Sequence, residues 1–132
     1  RGAFGGINID GTASGADNNL VERNSVSNTT TYGIGVWRAA GVVVRSNSIT
    51  RNQGAGIVMT EGSSNNVIEG NQVMANEGGG IVLTKEASYN SIIGNTAKGN
   101  GDGVRFFDLN DAGAGNTWEN NKYDTKSPET LG

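Results

Sequence analysis

Four charged residues that could do chemistry recur at nearly constant spacing: Arg38, Glu61, Lys85 and Asp108, which lie 23, 24 and 23 residues apart. If each interval is one turn of a stacked chain with strands roughly 4.8 Å apart, Glu61 and Asp108 are separated by roughly 9–10 Å. That value is near the upper limit of about 6.5–9.5 Å for the acid and base of an inverting glycosidase. Lys85 between them would keep both carboxylates ionised, which weakens this interpretation because the acid must carry a proton.

The alternating signs of this column also allow a purely structural interpretation. In a parallel stack, oppositely charged neighbours would form ion pairs between turns, each contributing roughly 0–1 kcal/mol at a surface. A second column partly repeats the arrangement and contains Glu22, Arg45, Glu69, Ile93 and Glu119. Because two columns share it, we favour ion pairing over catalysis.

Two aromatic residues, Trp37 and Phe107, stand beside the charged column and are predicted to point outward. Exposed aromatic rings can stack on sugar rings, so these two are candidate ligand-binding residues. They would lie three turns apart, roughly 14 Å, which is about the length of three sugar units. Partial burial under a loop is the alternative explanation.

Composition excludes several kinds of site. The chain has no His and no Cys, which rules out imidazole and thiolate metal sites, Cys nucleophiles and His-based triads. The net charge of −3 argues against a nucleic-acid groove, and no apolar stretch approaches 18 residues, so no membrane span is predicted. We expect Asp10, Asp102 and Asp111 in turns, and their spacing does not support a calcium site.

A repeating fold must position these side chains, and the sequence contains the repeat. Of 132 residues, 22 are Gly, 18 are Asn and only 34% are hydrophobic, yet Val and Ile recur regularly. Each turn begins with Gly and a β-branched residue, at Gly6-Ile7, Gly33-Ile34, Gly56-Ile57, Gly80-Ile81 and Gly103-Val104. An Asn follows later in each turn, at Asn24, Asn47, Asn71, Asn95 and Asn121. Asn tolerates the left-handed backbone of a corner, and stacked carboxamides can bond one another.

Within each turn the apolar residues alternate with period two, as in a strand with one buried face. Four columns are therefore predicted to fill the bore of a stacked tube. They are Ile7/Ile34/Ile57/Ile81/Val104, Ile9/Val36/Met59/Leu83/Phe106, Val21/Val44/Ile68/Ile92/Trp118 and Val26/Ile49/Val73/Ala97/Tyr123. The predicted repeats are 6–32, 33–55, 56–79, 80–102 and 103–126.

The two ends of the chain differ. Trp118 and Tyr123 enlarge the last turn and Pro128 stops further strand pairing, so the C-terminal end is expected to be capped. Residues 1–4 lead directly into the first strand with no cap. We therefore expect residues 1–132 to form one domain, the C-terminal part of a longer solenoid, with end-to-end self-association through the first turn as a further expectation.

The motif Gly56-Ile57-Val58-Met59, followed by Asn66, Asn71 and Asn76, resembles the repeats of right-handed parallel β-helix proteins. These form the pectate-lyase-like family, which includes the repeats of carbohydrate-binding proteins and sugar hydrolases. The resemblance extends from Gly6 to Tyr123. It implies an all-β fold, a right-handed parallel β-helix of about five coils of about 24 residues.

The resemblance implies a polysaccharide partner and an extracellular or cell-surface location, but it is weak for activity because one fold carries many functions. We favour a carbohydrate-binding or surface-scaffold β-helix without its own catalysis. The alternative is a fragment of a polysaccharide lyase, epimerase or glycoside hydrolase that acts on an acidic polysaccharide. Lyases of the family use Arg or Lys with calcium held by Asp; Arg38, Lys85, Arg105 and Asp108 have suitable side chains, but the clustered Asp pairs of such a calcium site are absent.

Overall fold

The structure is a computed structural model that describes residues 5–11 and 17–131. Sixteen short strands lie in this part of the chain, and it contains no helix, hence none that could cross a membrane. The strands are β1 Ile7–Asp10, β2 Leu20–Glu22, β3 Ser25–Ser27, β4 Ile34–Trp37, β5 Val43–Arg45, β6 Ser48–Thr50, β7 Ile57–Thr60, β8 Val67–Glu69, β9 Gln72–Met74, β10 Ile81–Leu83, β11 Ser91–Ile93, β12 Thr96–Lys98, β13 Leu109–Asp111, β14 Thr117–Glu119, β15 Lys122–Tyr123 and β16 Lys126–Ser127.

The strands form three parallel sheets that together make a solenoid of about five coils. Sheet A has the order β1-β4-β7-β10-β13-β16, sheet B the order β2-β5-β8-β11-β14 and sheet C the order β3-β6-β9-β12-β15. Each coil thus contributes one strand to each sheet, and every pairing is between equivalent strands of neighbouring coils. The predicted all-β parallel solenoid is confirmed.

The core consists of the predicted columns in nearly every coil. In sheet A, Ile34 pairs in register with Ile57, and Ile57 with Ile81. The sheet B column from Val21 to Trp118 and the sheet C column from Val26 to Tyr123 are in register through all five coils. Most of these side chains are fully buried. Because each coil covers the apolar stripe of the next, the burial is shared along the tube.

Asparagines and left-handed residues build the corners. Asn47 Nδ2 donates to Asn71 Oδ1 over 3.0 Å, and Asn71 Nδ2 donates to Asn95 Oδ1 over 2.9 Å. Each of these asparagines also donates to the carbonyl oxygen of a core residue, as Asn71 does to Val44 over 2.9 Å. The residue immediately before each asparagine has a positive φ, for example 57° at Ser46. A corner is therefore one left-handed residue followed by one carboxamide that satisfies the freed backbone groups.

The fifth coil departs from the predicted register in sheet A. Ile81 pairs with Leu109 and Leu83 with Asp111, so Val104 and Phe106 are not core residues. Val104 is 78% exposed and Phe106 is 40% exposed. The prediction that these two continue the core columns is wrong because residues 102–105 form an insert before the strand.

The C-terminal end is closed by polar groups and by the chain itself. Trp118 is buried, and its indole nitrogen donates to Asp111 Oδ2 over 2.8 Å. Leu131 folds back onto the core cluster, and Lys126 Nζ donates to its carbonyl oxygen over 2.8 Å. Pro128 directly follows β16, where pairing ends, as predicted. The predicted uncapped start, residues 1–4, lies outside the described residues.

Candidate functional site

The outer face of sheet A carries the aromatic residue Trp37, which the sequence singled out. Its indole lies over Gly35, since a methyl group added to Gly35 would collide with the indole ring. The Tyr32 ring packs edge-on against the indole, with ring centroids 4.9 Å apart and an interplanar angle of 61°. Burial, together with the negative charge of Asp10, raises the pKa of Tyr32 above its ordinary value. The two rings therefore form a supported, half-buried aromatic platform, defined here as Tyr32 and Trp37 on Gly35.

An uncharged strip continues from this platform along the sheet. Val58 and Val82 are the in-register neighbours of Gly35 in the next two coils, and both are half-buried. Beside them, Thr84 Oγ1 and Thr60 Oγ1 are joined by a hydrogen bond of 2.9 Å. We call Val58, Val82, Thr60 and Thr84 the sheet A strip. Its short side chains leave a flat surface next to the platform.

The charged column borders the strip, and one of its two cations, Arg38, is engaged in ion pairs. Arg38 contacts Glu61 closely and lies 3.5 Å from Asp10, so it joins carboxylates of the two neighbouring coils. Lys85 is exposed at the turn after β10. On sheet B, Arg45 Nε lies 2.5 Å from Glu22 Oε1. Ion pairing between coils thus occurs in both charged columns.

Asp108 does not belong to the charged column, so its predicted position is wrong. It takes the place of Gly80 in the last coil, since Ile57 donates to the carbonyl of Gly80 and Ile81 to that of Asp108. Its side chain is buried and accepts hydrogen bonds from Asn100 on Oδ1 and from Asp124 and Thr125 on Oδ2. The four-residue insert causes the displacement, and no acid pair forms between Asp108 and Glu61.

The insert itself forms a lip at the corner between sheets C and A. From the corner asparagine to the residue that precedes the sheet A strand takes four residues in coil 3, from Asn76 to Gly80, and eight in coil 4, from Asn100 to Asp108. Asp102 Oδ1 accepts the backbone N–H groups of Val104, Arg105 and Phe106 over 2.8–3.1 Å. We call residues 102–106 the lip.

Arg105 and Phe106 are presented together on this lip. Arg105 Nε lies 3.7 Å from Asp102 Oδ2, and its guanidinium carbon lies 5.3 Å from the centre of the Phe106 ring. A groove of about 650 Å³ runs beneath the lip. Its lining residues are Gln53, Gly54, Ala55, Glu77, Gly78, Gly101, Asp102, Arg105 and Phe106.

Phe107 lies at the base of the lip rather than in one row with Trp37. Ala55, Gly79 and Phe107 each accept, on the carbonyl oxygen, the N–H of the glycine that opens the preceding coil. Each of them directly precedes its own strand entry, as Tyr32 precedes Gly33. Phe107 is therefore the counterpart of Tyr32 three coils away. It is partly buried and lines a second, smaller groove with Tyr123. The two predicted aromatics therefore stand at opposite ends of the same face but in different columns.

The turn predictions for three aspartates had mixed outcomes. Asp102 lies in the lip turn as expected, whereas Asp10 ends β1 and Asp111 ends β13. Within residues 5–11 and 17–131, no three Asp or Glu side chains converge into a group that could hold a metal ion.

Sequence reasoning missed the supporting ring and the lip. Tyr32 directly precedes the Gly33 that opens coil 2, and an aromatic residue at that position could have been recognised as a neighbour of Trp37. The lip could have been inferred from the asparagine spacing, because Asn95 and Asn121 are 26 residues apart whereas Asn71 and Asn95 are 24 apart. The excess of two residues indicates an insertion in that coil but does not give its position.

A family model described as the right-handed β-helix region matches residues 2–123. The chain belongs to this family. No curated protein sequence matches this β-helix. Among solved structures, it is similar to the crystal structure of the periplasmic alginate epimerase AlgG, with a TM-score of 0.65 and 20% sequence identity. The similarity covers 92% of this chain but 36% of the epimerase chain, so this β-helix spans about a third of that protein's length and the two share a fold.

Proposed function

We propose that this β-helix binds polysaccharide on the outer face of sheet A and has no catalytic activity of its own. The observation that carries the proposal is the aromatic platform. The Trp37 indole lies against the backbone of Gly35 and is held by Tyr32, so its orientation is fixed before a ligand arrives. A preorganised aromatic surface loses little conformational entropy on binding, and the sheet A strip extends it in the direction of the coils.

The charged groups near the face favour binding over catalysis. Arg38 is already shared between Asp10 and Glu61, and Asp108 is buried beneath the surface with its oxygens occupied by hydrogen bonds. A general acid and base must both reach the reacting bond, and these carboxylates do not meet across the face. The bound polymer would therefore be held unchanged.

Enzymatic activity is the second candidate function, and the similarity to the alginate epimerase is the observation in its favour. This β-helix would then be one part of a longer polysaccharide lyase, epimerase or hydrolase. The same neighbour is periplasmic, which supports our proposal that this chain works outside the cytoplasm, in the cell envelope or extracellularly.

Affinity electrophoresis of the purified chain through gels that contain one polysaccharide each tests the proposal. We expect retardation by at least one polysaccharide and about a tenfold loss of affinity in Trp37→Ala. Tyr89→Ala is the matched control, because Tyr89 is an aromatic residue 67% exposed at the corner that precedes sheet B strand β11, outside the platform and the strip. This variant should bind like the parent chain.

Incubation of the same polysaccharides with the protein separates the two candidate functions. The binding proposal predicts no new reducing ends, no unsaturated products and no change in sugar configuration. Turnover that is lost in Lys85→Ala while binding persists would establish the enzymatic alternative. Binding that is equally strong in Trp37→Ala and the parent chain would contradict the aromatic platform as the binding surface.

A further inference from the structure

The lip is held in one conformation, and it exposes apolar surface. Three backbone N–H groups converge on the Asp102 carboxylate, and Gly103 N–H donates to the Phe106 carbonyl over 2.8 Å. Hydrogen bonds from Val104, Phe106 and Arg105, in that order of effect, hold the pKa of Asp102 well below its ordinary value. The turn therefore presents Phe106, which is 40% exposed, and Val104, which is 78% exposed, in one fixed arrangement.

The groove under the lip has a floor of bare backbone. A methyl group added to Gly78 would lie 2.7–2.9 Å from the backbone of Gly54 and Ala55, so the coils touch here without side chains between them. Exposed Gln53 and Glu77 stand on the floor, and Phe106 forms the wall. The site therefore offers one ring face for apolar contact, with amide, carboxylate and guanidinium groups around it for hydrogen bonds to hydroxyls.

The groove lies next to the sheet A strip. Ala55 lines the groove and is the coil 2 counterpart of Gly79, where an added methyl group would lie 3.1 Å from the Val82 side chain of the strip. An extended ligand on the Tyr32–Trp37 platform can therefore pass over Ala55 to reach Phe106. The span between the Tyr32 and Phe107 positions is three coils, roughly 14 Å.

The electrostatics of this path distinguish between kinds of polysaccharide. The groove is lined by two carboxylates, Glu77 and Asp102, and one guanidinium, Arg105, which Asp102 already partners. At the other end, the charged column has two carboxylates, Asp10 and Glu61, and two cations, Arg38 and the exposed Lys85, so its net charge is zero. An acidic polymer would therefore meet net negative charge at the groove and no net positive charge at the other end, so electrostatics do not favour its binding.

We infer that the ligand of this face is an uncharged polysaccharide, and that the lip groove forms a second contact for it with Phe106 as its aromatic surface. This inference rests on the proposed function and names its substrate class. Arg105 and Glu77 donate and accept hydrogen bonds to sugar hydroxyls rather than neutralise a charge. Each end of the bound segment then has one aromatic contact, Trp37 at one end and Phe106 at the other.

The test uses the full chain with two sets of polysaccharides as probes. Galactomannan, glucomannan and dextran are uncharged, whereas polygalacturonate and alginate carry a carboxylate on each sugar unit. We expect an uncharged polymer to bind at least tenfold more tightly than either acidic one, with less than a twofold change in affinity between 50 and 500 mM NaCl. Phe106→Ala should weaken that binding about tenfold. Val104→Ala, on the same lip but outside the groove lining, should change it less than twofold.

The possible results separate this inference from the proposed function. Tighter binding of an acidic polymer that weakens with salt and depends on Trp37 would overturn the inference and leave the proposed function standing. Binding of an uncharged polymer that depends on Trp37 but not on Phe106 would remove the lip groove from the site. Binding to none of the five polymers would contradict both proposals.

Discussion

Replacement of Asp108 by asparagine tests whether this residue is structural or chemical. Its Oδ1 accepts two N–H groups of Asn100 over 2.9 Å, and its Oδ2 accepts the backbone N–H groups of Asp124 and Thr125 over 3.0 Å. An asparagine can keep the pair on Asn100, but its amide NH₂ then faces two other donors. Those two partly buried N–H groups lose their acceptor, at about 1–2 kcal/mol each.

We therefore expect Asp108→Asn to lower the free energy of unfolding by about 2–4 kcal/mol, which is on the order of 10 °C in Tm for a chain of this size. Urea denaturation followed by far-UV circular dichroism at pH 7 measures it. Asp124→Asn is the control, because the Asp124 side chain is largely exposed and its carboxylate lies as far as 4.0 Å from Lys98 Nζ. We expect this variant to lower the free energy of unfolding by less than about 0.5 kcal/mol. An unchanged free energy of unfolding in Asp108→Asn would refute this reasoning. If the parent chain also turned over a polysaccharide and this variant did not, Asp108 would be catalytic.

Three further predictions follow from the corners, the platform and the lip. Ala75 has a φ of 58° and Gly99 occupies the same corner position one coil later with open space around it, so Ala75→Gly should stabilise and Gly99→Ala destabilise by about 1 kcal/mol, measured by urea denaturation. The raised pKa of Tyr32 favours its neutral phenol in the folded state, so unfolding stability should fall as pH rises above 10, and less so in Tyr32→Phe, measured by urea midpoints at pH 9 and 11. The pKa of Asp102 is lowered, so the stabilisation of the lip by its ionised carboxylate is present above the ordinary pKa of 3.8 and is lost only at lower pH. Polysaccharide affinity measured at pH 7 and at pH 4.5 should therefore agree within twofold in the parent chain. In Asp102→Ala the affinity should be weaker at both pH values.

The sheets could be predicted from the sequence because the buried residues of each sheet recur at a regular spacing along the chain. The columns that contain Val44, Ile68 and Ile92, and Ile49, Val73 and Ala97, repeat at constant spacing, and stacking leaves them one register. Corner asparagines mark the same period independently. Where two patterns agree, the register of the coil was correctly predicted.

The lip could not be placed because a false repeat concealed it. Gly103-Val104 follows Gly80-Ile81 by 23 residues and imitates the start of a coil, whereas the true strand begins at Leu109. A four-residue insert in the corner and a turn after β13 that is two residues shorter leave a net excess of two. This excess is seen in the 26-residue spacings from Asn90 to Asn116 and from Asn95 to Asn121. Local composition does not distinguish an exposed Gly-Val from a buried one, and only the pairing of backbone groups does.

Only part of the candidate site could be predicted from the sequence, because only part of it follows the repeat. The outward orientation of Trp37 could be predicted because side chains alternate between the two faces of a strand. Its contacts with Tyr32 and Gly35 depend on side-chain packing, which the repeat pattern does not reveal. The groove likewise combines residues from three coils and an insert. Sites of this kind arise from irregularities in the repeat, and these carry the least periodic signal.

Titration of the isotope-labelled chain with an uncharged oligosaccharide, followed by backbone amide NMR, tests most directly whether sheet A is the binding face. We predict that the largest shift changes occur at the aromatic platform around Trp37, along the sheet A strip at Val58 and Val82, and at the lip around Phe106. The outer faces of sheets B and C should be unaffected. Shift changes confined to sheet B or sheet C, with none on sheet A, would contradict the account.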